Sequence, residues 1–192
     1  MKKTIITVSF CAALGCAMLP SCSKSKDSKD QSSTRQNAVL QSGRNATRDE
    51  IRNTSADDWF DRVGEKEAAL GYAPNTSLNA LIKKAGESDS NREEIIQKAT
   101  EIIDNSSQNS FKRWQCCYVL SGIGDKHGIP AIAQALKDEN ATVRGVAACA
   151  LGQFDDPSAK DALIKAAKTE KTPDVQAWIQ KALDGQFLPK KQ

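Results

Sequence analysis

The chain has 192 residues, with 27 Lys and Arg, 24 Asp and Glu, one His and six Cys. The formal net charge of +3 belongs to the N-terminal part: from Ala56 onward 18 basic residues face 20 acidic ones, which excludes the basic surplus that drives sequence-independent phosphate binding. Aromatic residues make up 5% of the chain, and their scarcity beside abundant Ala points to close-packed helices rather than a sandwich of β-branched and aromatic strands.

The first element is a leader. Met1-Lys2-Lys3 is followed by an uncharged run from Thr4 to Ser21 that ends at a small-residue junction, the pattern of a secretory signal, expected over residues 1–21. Leu19-Pro20-Ser21-Cys22 resembles the lipobox of bacterial lipoproteins. The resemblance implies that Cys22 carries acyl chains such as palmitate, and that the mature protein begins there. It also implies export to the cell envelope, with Ser23 favouring the outer membrane. Simple secretion to the periplasm or beyond remains open. So does an uncleaved anchor, because the apolar run is close to the ~18–20 residues that cross a bilayer. Residues 22–54 follow as the lipidated Cys and a flexible tether. Ser-Lys-Ser-Lys-Asp-Ser-Lys-Asp from Ser23 to Asp30 has no apolar side chain to offset chain entropy.

Helical patterning begins at Ser55. Ser55-Ala-Asp-Asp58 reads as a cap with acid in the first turn, ahead of Trp59, Phe60, Val63 and Leu70. Thr76 or Ser77 precedes Leu78, Leu81 and Ile82; Ser90-Asn-Arg-Glu93 reads as a capping box before Ile95, Ile96, Ala99 and Ile103. Ser110 and Thr142 are the next expected caps, and Asp156-Pro157 and Thr172-Pro173 place a cap and a first-turn proline before the last two helices. The spacing of three and four is helical throughout, and no stretch alternates as a strand would.

Arg113–Asp125 aligns with Arg144–Asp156 at an offset of 31, and a third copy starts at Val175, 32 beyond Val143. A repeat of this length means stacked helix pairs, each covering the apolar face of its neighbour. The fold class expected is therefore all-α, a solenoid of about four antiparallel helix pairs. Residues 55–110 supply N-terminal repeats or a cap, 111–188 the clearest repeats and 189–192 a tail. Pro130, Asp138, Val143 and Arg144 resemble the HEAT repeat, in the short bacterial form of phycobilin lyases. The resemblance implies a structural ladder of Asp138, Arg144 and Arg113, with Asp138–Arg144 its complete pair. It also implies a concave face carrying Gln115, Gly145, Ala148 and Gln176 as candidate binding positions.

Catalytic patterns are missing. Cys116, Cys117 and Cys149 read as small buried hydrophobes, although an inter-helix disulfide between Cys117 and Cys149 stays open. No CxxC is present, so no metal site is expected. The deoxyhypusine hydroxylase family builds a di-iron site on similar repeats from His-Glu pairs, but this chain has a single histidine, His127, and no His-Glu dipeptide. Gly122-Ile-Gly124-Asp-Lys-His-Gly128 reads as a helix turn with a left-handed glycine rather than a dinucleotide loop. The expectation is a non-catalytic, cofactor-free scaffold at the envelope. It would bind an unidentified protein and meet the membrane through its lipid, with no nucleic acid or metal. Self-association for assembly and an envelope enzyme with an unrecognised site are the alternatives.

Overall fold

The computed structural model describes residues 45–62 and 75–189. The chain divides into two units, 1–42 and 43–192; the leader, Cys22, the tether up to residue 44, Val63, Leu70 and the last three residues lie outside the described residues. Among the described residues all regular structure is helical.

Order starts earlier than Ser55. Helix α1 (Arg48–Asn53) falls inside the expected tether. Its start is a reciprocal capping box: the Glu50 N–H donates to the Thr47 hydroxyl at 3.2 Å and the Thr47 N–H to the Glu50 carboxylate at 2.8 Å. One buried side chain, Ile51, holds it to the body. Lys84 Nζ closes its other end, donating to the carbonyls of Ile51 and Arg52 at 3.4 and 3.2 Å. A single buried residue gives no periodicity, which is why the sequence pattern does not reveal this helix.

Helix α2 (Ala56–Arg62) begins where Ser55 places it, with the Asp58 N–H on the Ser55 hydroxyl at 3.1 Å. Helix α3 (Thr76–Ala85) starts after Asn75, held left-handed at φ 64°, so Thr76 and Ser77 lie inside the helix and are buried rather than capping it. Helix α4 (Asp89–Asp104) is capped by Ser88, two residues before the expected Ser90. Asparagines take the next two caps in place of Ser110 and Thr142. Asn109 opens α5 (Ser110–Ile123), and Asn140 opens α7 (Ala141–Leu151) by accepting from Thr142 and Val143. Between them, a 3-10 turn (Lys126–Gly128) leads into α6 (Ile129–Ala135). Helices α8 (Pro157–Ala167) and α9 (Pro173–Leu183) follow Asp156 and Thr172 with a proline in the first turn; Asp156 caps its helix by accepting from the Ser158 N–H, whereas the Thr172 side chain makes no capping bond and its hydroxyl accepts from Arg144.

These helices form two layers. Helices α3, α5, α7 and α9 pack side by side in one, and α2, α4, α6 and α8 in the other, so that α2–α3, α4–α5, α6–α7 and α8–α9 are four successive pairs. The protein is an α-solenoid. Helix α7 sits in the middle of its layer between α5 and α9, and every residue from Gly145 to Leu151 is buried. Small side chains make this possible. A Cβ on Gly152 would lie 2.8 Å from the Ala182 Cβ, and one on Gly122 would lie 2.4 Å from the Ile82 Cδ1. Leu120, Ile132, Leu151 and Ile179 fill the seam between layers at 0–1% exposure, each contributing about 1.5–3 kcal/mol by burial.

The C-terminal end turns back on itself. Gly185, at φ 72°, reverses the chain and the Gln186 N–H reaches the Lys181 carbonyl at 3.0 Å. Phe187 then stacks on Trp178 with centroids 5.9 Å apart and lies against Gly152. The three described cysteines are free, buried thiols, so the Cys117–Cys149 disulfide is not formed.

Candidate functional site

The most developed polar arrangement runs along the turns that join the two layers. Arg113, in the first turn of α5, sends Nε and Nη2 to the two carboxylate oxygens of Asp138 at 2.7 and 2.8 Å. Its Nη1 donates to the carbonyls of Ser106 and Gln108 in the preceding turn. Arg144, one repeat later, does the same. Nε and Nη2 hold Glu170 at 2.7 and 3.2 Å, and Nη1 reaches the backbone carbonyls of Asp138 and Glu139 at 2.8 and 3.0 Å. In the last pair Gln176 stands where an arginine would, and its amide donates to the Glu170 carbonyl at 2.6 Å. Each arginine therefore ties the carbonyls of its own turn to the carboxylate of the next.

This corrects the expected ladder. The Asp138 side chain pairs with Arg113, whereas Arg144 touches only the Asp138 backbone carbonyl. Glu170, the carboxylate partner of Arg144, is a residue the sequence reading passed over. The signal was present: Glu170 lies 32 residues beyond Asp138, one repeat away, but with Glu in place of Asp.

Electrostatics follow the geometry. The hydrogen bond to Asp138 raises the Arg113 guanidinium above its ordinary range. Burial pushes the Asp138 carboxyl upward, but the Arg113 hydrogen bond and the Asn140 N–H outweigh it and hold it below the usual value. The hydrogen bond from Arg144 lowers Glu170 to about 2. Side-chain exposure is 3% for Arg113 and 8% for Asp138. An open cleft of about 400 Å³ lies beside this ladder, lined by Ser106, Gln108, Ser110, Arg113, Glu139 and Asn140. The guanidinium of Arg113 is already spent on protein partners, so the cleft presents no free cation of its own.

Of the proposed concave positions, Gln115, Gly145 and Ala148 are buried, and Gln176 alone is exposed. The reason is the depth of α5 between α3 and α7 and of α7 between α5 and α9 and, at Gly145, the Trp178 ring, which lies 3.5 Å from where a Cβ would stand. The exposed face of this layer is instead aromatic on α5, where Phe111, 43% exposed, meets Trp114 edge-on at 5.1 Å.

Nothing in the described residues assembles a metal centre. No three His, Cys, Asp or Glu side chains come together. His127, the one histidine of the chain, is exposed in the turn after α5 and bonds Asp125 at 2.7 Å. Burial pushes the Cys117 and Cys149 thiols up to about 12, the behaviour of packing groups rather than nucleophiles. The donor set does not fit iron held by His-Glu pairs.

Residues 96–184 match the family model for HEAT repeats, and the chain carries a HEAT-repeat domain. It is similar to the deoxyhypusine hydroxylase of Drosophila pseudoobscura pseudoobscura, 32% identical over 76 residues, covering 40% of this chain and 25% of that protein. It is also similar to the deoxyhypusine hydroxylase of Debaryomyces hansenii, 30% identical over 111 residues, covering 57% of this chain and 36% of that protein. No solved structure matches.

These relatives correct the expectation of a non-catalytic scaffold, because both are enzymes by name. That expectation judged kinship by the presence of His-Glu pairs alone. It left aside the helix-packing residues, which can keep a relationship visible where site residues differ.

Proposed function

We propose that this domain is a component of a hydroxylase-type enzyme system, the part that seats the molecule to be modified. The observation that carries the reading is the 30–32% identity to two deoxyhypusine hydroxylases on a domain whose described residues bring no three His, Cys, Asp or Glu side chains together. The ladder supports it by holding successive helix pairs in fixed register, which gives a stiff surface for a bound partner. Complex formation with a deoxyhypusine-bearing protein, and its hydroxylation with ferrous iron supplied, are measured together using the full chain. Binding of that protein is the expected result, and the hydroxylation assay reads how much of the reaction this chain itself performs. Turnover by the chain alone would establish the second reading, a complete hydroxylase, which the same identities favour. Absence of both would reject kinship of function.

We also propose that the chain is a lipoprotein of the bacterial cell envelope, acylated at Cys22. The Leu19-Pro20-Ser21-Cys22 junction behind an uncharged run supports this reading. No helix of the described residues is long and apolar enough to cross a membrane. Cys22→Ser should abolish labelling by a palmitate analogue; unchanged labelling would sink the assignment. The spacing of Pro130, Asp138, Val143 and Arg144 supports the short bacterial form of the repeat.

A further inference from the structure

Helix α8 carries an outward face that the ladder and the core leave unused. Lys160, Lys165 and Lys168, with Lys171 just beyond the helix, are exposed, and no ion pair engages their ammonium groups among the described residues. Lys160, Ile164 and Lys168 stand at successive i, i+4 positions, so they share one stripe, with Lys165 at its side. Ile164 is 38% exposed, one of three large hydrophobics so exposed in the described residues. Lys137 occupies the repeat-equivalent place at the end of α6, which packs beside α8, and is likewise exposed. Asp161 is the one exposed carboxylate within the helix. The nearby Glu170 is neutralised by Arg144.

We propose that this face rests on an anionic lipid surface, the lysines meeting headgroup phosphates and Ile164 entering the interface between them. The inference rests on acylation at Cys22, which confines the domain to a bilayer. A patch of a few lysines binds weakly alone but strongly enough once a chain anchor supplies the encounter. Lysine stems also lie well along an apolar boundary while the charge stays in water. An acidic protein with an apolar spot is the competing occupant; the acyl anchor at Cys22, which holds the domain at the bilayer, favours the lipid surface.

The test uses the full chain with Cys22→Ser, so that the acyl group plays no part and a failure of lipidation is read separately by the labelling experiment. Co-sedimentation is measured with phosphatidylcholine vesicles with and without phosphatidylglycerol. Each lysine near an anionic leaflet strengthens binding about fivefold. Reversal of Lys160, Lys165 and Lys168 to Glu should therefore reduce the phosphatidylglycerol-dependent binding about a hundredfold or more, and added salt should weaken the parent's binding in the same direction. Ile164→Ser should weaken it with the charge unchanged. Any contribution from the N-terminal apolar run is common to all variants. The inference is overturned by equal phosphatidylglycerol dependence in parent and triple variant, or by the triple variant losing an acidic protein partner while keeping its vesicle binding.

Discussion

At the scale of single residues, the ladder is where chemistry and stability meet. Removing Arg113 leaves Asp138 buried without its cation and strips the carbonyls of Ser106 and Gln108 of a donor. Breaking one side of a buried pair costs about 3–5 kcal/mol, so Arg113→Ala should lower denaturant stability by that order. Coupling in double-mutant cycles should be about 0.5–3 kcal/mol for Arg113 with Asp138 and for Arg144 with Glu170. It should be small for Arg144 with Asp138, because that contact uses a backbone carbonyl; strong coupling there would restore the pairing expected from the repeat. Glu170 also sets a pH dependence. Its folded carboxyl is depressed to about 2 from an ordinary 4.5, so the unfolded chain binds the proton more readily. The stabilisation is full above the unfolded value and is lost as pH falls from about 4.5 through about 2. Glu170→Gln should flatten the stability profile over that window; an unchanged acid limb would show that Arg144 does not hold this carboxylate.

At the scale of elements, the repeat assigns equivalent roles that packing confirms. Leu120 on α5 and Leu151 on α7 lie 31 residues apart and are 1% and 0% exposed. Replacement of either by Ala should cost about 2–5 kcal/mol, while Lys168→Ala should cost under about 0.5 kcal/mol. Chemical denaturation checks both, and similar losses at the two kinds of position would contradict the helix faces described. Gly152→Ala is the opposite perturbation. Its Cβ would meet the Ala182 Cβ at 2.8 Å and the Ala182 Cα at 3.1 Å, so α7 and α9 must move apart at about 1–3 kcal/mol. The helix starts show how local chemistry competes. Ser90 and Ser110 fit cap rules in the sequence, yet Ser88 and Asn109 take the positions. Any of several polar residues in one turn can cap, and packing of Ile95 or Cys117 decides the phase.

For the whole molecule, a solenoid is stabilised by neighbours rather than by a central core, so its ends are the weak points. At the C-terminal end Phe187 covers Gly152 and Trp178. Deleting residues 185–192 should therefore reduce amide protection in α9 before it affects α4, as hydrogen exchange would show; uniform loss along the stack would mean that the pairs unfold as one unit.

The sequence by itself determined the class of architecture. Helical spacing, the first-turn prolines at Pro157 and Pro173 and the 31-residue offset all act locally or between adjacent repeats, so they are legible without coordinates. The Thr47–Glu50 capping box was also written in the chain, but α1 buries only Ile51 and leaves no period to read. What the tertiary structure decided is which charges meet and which small residues are covered. Arg113 pairs forward with Asp138 through Nε and Nη2 while its Nη1 holds the carbonyls of Ser106 and Gln108, a division of one guanidinium between two turns that sequence order does not reveal. Gly145 and Ala148 disappear beneath neighbouring helices because their small side chains are what allow those helices to approach.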